Sequence, residues 1–306
     1  MILPDFPAFA PLALENKDDY EHLIAEYPPF SDIAFATLHI WWNLEGKLEL
    51  SMLNGNIVIN YQLEFDPENS GLCLVGKDHL EDSVRTIFEH LRQNQQPARL
   101  VHVPQFVADK LSRQDFVIEE ELDYNEYILD SKALAKLEGS LHGKNRRRVN
   151  RFLREVEGRQ VEFKQLDLES PEVQKELFEA ILAWENTKSS SNDPDKTERD
   201  AIQKTLSHAR HLGVKHVGLY IDGELHGIVL FHETHDKNHY VLHHIKVNYS
   251  TPYIFYYIVH HVANQAAQAG VNYLNMEMDL GIQNLREHKL ALRPVDFFRK
   301  FTIKPL

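Results

Sequence analysis

The order of strands and helices in the second half of the chain constrains the fold more than any other feature. Two apolar segments, residues 214–221 and 224–231, flank the dipeptide Asp222-Gly223, which favours the tight turn of a β-hairpin. Three more segments continue the pattern as a strand, a helix and a strand: residues 239–247, 253–269 and 271–276. The hydrophobic spacing thus predicts three antiparallel strands, a helix and a further strand in a domain of mixed α/β class.

Segments on either side extend this order. A strand at residues 161–166 and two helices precede the hairpin. Asp279 stands where a short helix through about Lys289 is expected to begin, and residues 297–303 predict a last strand. The resulting order of elements resembles the GNAT acyltransferase fold.

The first half of the chain runs through a similar order. A second hairpin signal, Asn54-Gly55, separates strand-like residues 47–53 and 56–64. The segments that follow predict a strand, a helix and more strands: residues 71–75, 79–93, 99–103 and 117–129. We therefore predict an α/β (α+β) chain of two tandem GNAT-like (acyl-CoA N-acyltransferase) domains. Their expected limits are residues 1–130 and 131–306, the second domain being the catalytic one.

Length, charge and cysteine content limit the number of domains, the binding partners and the cellular compartment that we expect. Its 306 residues suit two domains, and 33 basic against 46 acidic residues give a net charge of −13. The electrostatic field of a protein with this negative net charge does not attract nucleic acid or anionic lipid. No apolar stretch reaches the roughly 20 residues of a membrane span, and the N-terminus lacks a secretory pattern. The single cysteine, Cys73, is interpreted as a buried strand residue, and we expect a cytoplasmic location.

One segment is strongly basic although the chain as a whole is acidic. Residues 144–154 carry six basic side chains and no acidic one. Val149, Phe152 and Val156 recur at helical spacing, which leaves the cations on the opposite face. This face suits a polyanion such as tRNA or a lipid headgroup, although a merely solvated face is the alternative. The cations assigned to substrate binding are Lys144, Arg147, Arg148 and Arg151.

A second group of polar residues follows the strand at 271–276. Glu277 comes directly after it, and Arg286 and Lys289 are three residues apart, so they share one face of the short helix. Ligands of open α/β sheets usually bind at the C-terminal ends of strands. The spacing therefore predicts two carboxylates, Glu277 and Asp279, close to two cations. The structural alternative is an Asp279–Arg286 salt bridge beside a helix cap.

The run from Asn275 to Lys289, NMEMDLGIQNLREHK, is similar to the N-x-E-x-D-L-G-x-x-x-L-R-x-x-K signature of the phosphatidylglycerol lysyltransferase C-terminal domain family. Residues 142–152 and 35–41 resemble two further motifs of that family. The resemblance implies tandem GNAT folds and transfer of an amino acid from an aminoacyl-tRNA to a lipid headgroup. Fem-type aminoacyltransferases look related. The lysyltransferases also carry a membrane-spanning N-terminal domain, which is not found in this sequence.

Aminoacyl transfer requires a base for the acceptor group, stabilisation of an oxyanion and a positioned donor. We assign the base to Glu277 and phosphate or oxyanion binding to Arg286 and Lys289. Asp279 completes the predicted catalytic set, and Asn275 is assigned to substrate binding. An aminoacyl-tRNA is the expected donor, and an anionic lipid headgroup at a membrane surface is one expected acceptor.

Two other functions stay open at this stage. A CoA-dependent N-acetyltransferase normally has a glycine-rich loop for the pyrophosphate, and residues 247–253 contain no glycine. A non-catalytic tRNA- or ligand-binding protein is the second alternative. No metal or cofactor is predicted, because H-E-x-x-H and C-x-x-C motifs are missing. The adjacent residues His243 and His244 are expected to point to different faces of a strand, so they are only weak evidence for a metal site. Residues 232–235 are interpreted as the polar rim of a hairpin.

Overall fold

The computed structural model describes residues 2–43, 47–62, 70–186 and 196–306, and the chain forms two compact units. The first unit comprises Met1–Glu126, Met278–Gly281 and Phe297–Leu306. The second comprises Tyr127–Glu277 and Ile282–Asp296. The division into domains at residues 130 and 131 stays a prediction.

The first sheet has seven strands in the described residues: β1 (Ala10–Pro11), β2 (Glu49–Leu53), β3 (Asn56–Tyr61), β4 (Gly71–Val75), β5 (Leu100–Pro104), β6 (Phe116–Glu120) and β14 (Lys300–Pro305). Their spatial order is β1-β2-β3-β4-β5-β14-β6, and only β4 and β5 run parallel to each other. The predicted turn at Asn54-Gly55 is confirmed, since both residues have positive φ, 53° and 82°.

Four α-helices accompany this sheet in the described residues: α1 (Lys17–Ile24), α2 (Phe35–Thr37), α3 (Leu80–Gln93) and α4 (Gln105–Ala108). A π-helical turn, Leu38–Trp42, continues α2. Val84, Ile87, Phe88 and Leu91 form the buried face of α3, at the spacing of an amphipathic helix. They pack against Val58, Leu72 and Leu74 of the sheet. Each such side chain contributes about 1.5–3 kcal/mol by its burial.

The second sheet also has seven described strands: β7 (Glu126–Asp130), β8 (Val161–Lys164), β9 (Lys215–Ile221), β10 (Glu224–Glu233), β11 (His239–Val247), β12 (Tyr273–Asn275) and β13 (Asp296–Phe298). Their order is β13-β7-β12-β11-β10-β9-β8. Strands β9, β10 and β11 are antiparallel, and β11 and β12 are parallel. The first sheet repeats this arrangement in β2 to β5, which confirms the predicted fold class.

The described helices of the second unit are α5 (Ser131–Lys136), α6 (Gly143–Glu155), α7 (Pro171–Asn186), α8 (Lys196–Ser207), α9 (Ala209–Leu212), α10 (Ile254–Gln268) and α11 (Gln283–Ala291). Leu177 and Ile181 of α7 and Ile202 of α8 cover Ile228 and Leu230 of β10. None of the helices in the described ranges is both long and apolar enough to cross a membrane.

The last strand and β7 do not join the sheets that the sequence suggests. Residues 297–303 were expected to close the second copy of the fold, but β14 lies between β5 and β6 of the first sheet. Residues 117–129 were expected to complete the first copy, but β7 pairs with β12 of the second sheet. Strand propensity is a local property and does not specify the sheet edge that a strand joins.

A buried charge cluster holds β14 in the first sheet. The Lys300 ammonium forms an ion pair with Asp32 and lies 3.1 Å from Glu126 Oε1, and all three side chains are almost fully buried. The Glu126 carboxylate also accepts hydrogen bonds from the Ser31 N–H, at 2.9 and 3.1 Å. Burial raises the pKa of Asp32 to about 6, although Lys300 acts in the opposite direction. The cluster therefore couples the end of the chain to residues near its beginning.

Candidate functional site

Glu277 lies at the point where the two parallel strands of the second sheet diverge. Pairing of β11 with β12 ends at Val241 and Asn275, and Glu277 follows with a left-handed φ of 56°. Its N–H donates to Asn275 Oδ1 at 2.8 Å, and its carbonyl accepts from the Tyr127 N–H at 3.3 Å. The backbone of Glu277 is thus held on both sides. Asn275, predicted to bind substrate, positions Glu277 by this hydrogen bond.

The Glu277 side chain is tied to two histidines. Its Oε1 lies 2.9 Å from His243 Nδ1, and His243 Nε2 lies 2.7 Å from His232 Nδ1. The two imidazole rings stack with centroids 4.8 Å apart and an interplanar angle of 11°. Glu277, His243 and His232 are only 8%, 6% and 7% exposed. The three side chains form one buried hydrogen-bonded chain that crosses from β10 to the end of β12.

A β-bulge in β11 aims His243 at Glu277. Leu230 of β10 pairs with His244, whereas the next residue, Phe231, pairs with Leu242, so His243 is the extra residue. His244 is also buried, and its Nε2 is 3.0 Å from Thr205 Oγ1. Burial lowers the pKa of His244 well below its ordinary value, and nearby His243 and Lys246 lower it further. The side chains of His243 and His244 therefore lie in different environments, one beside Glu277 and the other beside Thr205.

The two carboxylate oxygens of Glu277 differ in their hydrogen bonds. Glu277 Oε2 makes no hydrogen bond to any residue in the described part of the chain, while Oε1 is engaged by His243. A carboxylate with one oxygen held and the other available can accept a proton from a hydroxyl or amino group. It can equally accept a hydrogen bond from a cationic group.

Lys289 is the cation that the structure brings to Glu277. It lies on α11 and is 6% exposed. Its ammonium lies 3.4 Å from the Glu277 carbonyl oxygen and 5.8 Å from the centroid of the Tyr127 ring. Arg286 lies one turn earlier on the same helix and is half-buried. The predicted convergence of Arg286 on the site stays a prediction.

Asp279 does not begin a helix, contrary to the sequence prediction. Its carboxylate accepts from the Gly281 N–H at 2.8 Å, and α11 starts only at Gln283. The chain cannot enter a helix directly after Asp279, because Leu280 and Gly281 have left-handed φ angles of 53° and 73°. Asp279 is fully buried and belongs to the first unit. Its catalytic role stays a prediction.

The predicted basic helix is α6. Val149 and Phe152 are buried, and the Phe152 ring stacks on Tyr257 of α10 at 4.2 Å. Arg148 lies 4.2 Å above the Tyr256 ring, and Arg151 Nη1 donates to Tyr253 Oη at 2.8 Å. The tyrosines hold these two guanidinium groups in place.

Three further cations of α6 point to solvent: Lys144, Arg147 and Arg154. Within the described ranges they form no ion pair. They span eleven residues, and the two ends are about 15 Å apart along a helix. This length of unpaired positive charge matches a phosphate backbone better than a single phosphate group.

The loop between β11 and α10 has no glycine and is held by its own side chains. The Asn248 Oδ1 accepts from the N–H and the hydroxyl of Ser250, and the Thr251 N–H donates to the Asn248 carbonyl. Pyrophosphate cradles need several free backbone N–H groups and close approach of the backbone.

Among the residues that the structure describes, no group of His, Cys, Asp and Glu side chains could hold a metal ion.

Comparison with known proteins identifies the family of the chain. The family described as "Phosphatidylglycerol lysyltransferase, C-terminal" matches residues 31–304, which is most of the chain. The chain belongs to this lysyltransferase C-terminal family. The resemblance seen in the sequence motifs is thereby confirmed. No curated protein matches the chain.

Solved structures support the fold of the family. A conserved protein of unknown function from Bacteroides thetaiotaomicron superimposes with a TM-score of 0.81 at 20% identity, over 100% of both chains. A C-terminal domain named after lysylphosphatidylglycerol synthetase, from Agrobacterium fabrum, gives 0.62 at 14% identity, over 95% of this chain and 92% of that one. L-PGS from Bacillus licheniformis gives 0.59 at 15% identity, over 100% and 94%. At these identities the likeness establishes the fold.

The contacts of His232 and His243 with Glu277 were not predicted from the sequence. Residues 232–235 were interpreted as the polar rim of a hairpin. His243 and His244 were expected to point to different faces, and they do contact different residues, Glu277 and Thr205. The bulge at His243 sets which of the two faces Glu277. A pairing register is not visible in one sequence, so no local signal distinguished His243 from His244.

Proposed function

We propose that this chain transfers an aminoacyl group from an aminoacyl-tRNA to a hydroxyl or amino group of a small acceptor, with a lipid headgroup as the first candidate. The observation that carries the proposal is the Glu277 carboxylate. It is buried and held by His243 through Oε1, and Oε2 has no hydrogen bond to the described residues. The family name points to lysine as the amino acid and phosphatidylglycerol as the acceptor.

In the proposed reaction Glu277 acts as the general base. Its Oε2 takes the proton of the acceptor group as that oxygen or nitrogen attacks the ester carbonyl of the donor. The carbonyl becomes a tetrahedral oxyanion, and the bond to the ribose oxygen of the tRNA then breaks. The ribose oxygen leaves with the proton that Glu277 had taken. The carboxylate is thereby restored, and no cofactor is consumed.

Two cations of α11 have supporting roles in this proposal. Lys289 lies beside the Glu277 backbone in a buried position, where its charge acts on nearby groups with little screening by water. Arg286, one turn away, is proposed to bind a phosphate of the donor or acceptor. Asp279 and Asn275 are proposed to fix the segment that carries Glu277.

The exposed cations of α6 are the proposed contact for the donor. Lys144, Arg147 and Arg154 supply unpaired charge on a protein that is otherwise acidic. Arg148 and Arg151 are already oriented by tyrosines, which lowers the entropy lost when they bind a phosphate. A cytoplasmic setting agrees with tRNA as the donor.

The test is transfer of a radiolabelled amino acid from charged tRNAs to phosphatidylglycerol vesicles, beginning with lysine, with acetyl-CoA as an alternative donor. Glu277→Gln is expected to lower kcat by roughly 10²–10⁴, the usual scale for loss of a general base. Donor binding is expected to persist, because the amide keeps the volume and a hydrogen-bonding oxygen.

Glu179→Gln is the matched control, since Glu179 lies exposed on α7 and pairs only loosely with Lys175, at 3.9 Å. It is expected to leave the rate unchanged. Full activity of Glu277→Gln would refute the role of the base. Transfer from acetyl-CoA but from no tRNA would favour the acetyltransferase, and tRNA binding without any transfer would favour the non-catalytic alternative.

A further inference from the structure

The hydrogen bonds that link Glu277, His243 and His232 each need one donor and one acceptor, and the chemistry of the groups decides which is which. When Glu277 is ionised it only accepts hydrogen bonds, so His243 then donates from Nδ1 to Glu277 Oε1. In a neutral imidazole the other nitrogen is then an acceptor. His243 Nε2 therefore accepts, and His232 must donate to it from Nδ1. The carboxylate thus determines the tautomer of a histidine two links away.

Each link in this chain is enclosed by protein. The His243 side chain is fully buried and both of its ring nitrogens are occupied, one by Glu277 and one by His232. It cannot reach a substrate as a base itself. His232 stacks on it and holds the plane of its ring. Hydrogen bonds in such a low-dielectric position are stronger than in water, and leaving one unmade is costly.

We propose that His243 and His232 are positioning residues for the Glu277 carboxylate, His243 acting directly and His232 through His243. The inference rests on the proposed function for its catalytic part only. The chain stops rotation of the carboxylate, so that Oε2 keeps one direction towards the acceptor group. When the Glu277 carboxylate is restored after transfer, His243 and His232 have the same tautomers as before and hold the carboxylate in the same orientation.

The first test reads the tautomers directly and needs no substrate. Protein with ¹⁵N-labelled histidine is studied by long-range ¹H–¹⁵N correlation at about pH 8, above the ordinary histidine pKa. His232→Asn and His243→Asn variants assign the two signals. Both histidines are expected to carry the proton on Nδ1. His244 is the internal reference and is expected to carry it on Nε2, because the Thr205 hydroxyl already donates to the Ala201 carbonyl.

Glu277→Leu then removes the acceptor at the end of the chain. The His243 proton is expected to leave Nδ1, and the signal of His232 is expected to change with it although His232 does not touch Glu277. A His243 proton on Nε2 in the native protein would overturn the inference. A His232 signal that does not change in Glu277→Leu would also overturn the inference.

The second test uses the transfer assay. Glu277 misplaced by about 1 Å is expected to cost roughly 10²-fold in rate, so His243→Ala should lower kcat by about that factor with little change in KM. His243→Asn should recover part of the loss, because its amide N–H can replace the Nδ1–H donor. His244→Asn, one residue along the strand, should leave kcat unchanged if it folds with the same stability.

The two proposals fail in different ways. If the tautomers are as expected but the native protein transfers no label, the proposed function is wrong and the geometry of the chain stands. If the native protein transfers label and His243→Ala keeps the native kcat, the positioning role is wrong and the proposed function stands.

Discussion

Removing Lys300 is expected to be the most damaging single change in the first unit. Lys300→Met keeps the approximate volume and apolar stem of the side chain but leaves Asp32 and Glu126 buried without their cation. Breaking a buried ion pair by removing one partner typically costs about 3–5 kcal/mol. Both carboxyl groups lose their buried cation here, so we expect the free energy of unfolding to fall by an amount in that range at about pH 8.

The loss is expected to depend on pH. Burial already raises the pKa of Asp32 to about 6 with Lys300 present, and the pKa rises further without it. A carboxyl group whose pKa is higher in the folded than in the unfolded protein stabilises the fold while protonated, and this contribution is lost as pH rises through the folded-state value. The destabilisation should therefore be larger at about pH 8 than at about pH 5.

The assay is urea denaturation followed by tryptophan fluorescence in a Trp184→Phe background, which leaves only Trp41 and Trp42, both in the first unit. Lys304→Met is the control on the same strand. Its pair with Glu119, at 2.6 Å, is about half exposed on both sides, and such pairs contribute about 0–1 kcal/mol. A loss below about 1 kcal/mol for Lys300→Met, or one equal to that of Lys304→Met, would show that the buried cluster does not stabilise the first unit.

Two further predictions concern α6 and the single cysteine. Replacing Lys144, Arg147 and Arg154 by Gln should flatten the dependence of log affinity for tRNA on log salt by about 0.7–0.9 per lost phosphate contact, and an unchanged slope would mean that the cations are merely solvated. Cys73 should resist thiol reagents in the native protein and react after unfolding, because burial raises the pKa of its thiol well above the ordinary range. Rapid modification of the native protein would contradict its buried position.

Several features of the fold could be predicted because they depend on neighbouring residues. Asp222 and Gly223 adopt the left-handed φ angles, 53° and 86°, that a tight hairpin turn needs. The apolar spacing of α3 and of α6 places their buried faces correctly. The motif from Asn275 to Lys289 identified the family, and it also pointed to the strand end at which Glu277 lies.

The start of α11 and the role of Asp279 show the limit of local reasoning. An aspartate before an amphipathic segment is a common helix cap, but the left-handed residues Leu280 and Gly281 delay the helix to Gln283. The side chain instead closes a turn at Gly281. The sequence pattern contains the same residue types for both outcomes, so it could not separate them.

The turns, the helix faces, the family and the position of Glu277 could be predicted from the sequence, because each depends on residues within a few positions of one another. The position of β14 in the first sheet depends on packing, since Lys300 meets Asp32 across 268 positions of sequence. Only the tertiary structure brings His243 and His232 to Glu277, through a bulge and contacts between three strands. Such contacts arise from packing and from the burial of charge, which act between residues that are distant in the chain and leave no periodic trace in it.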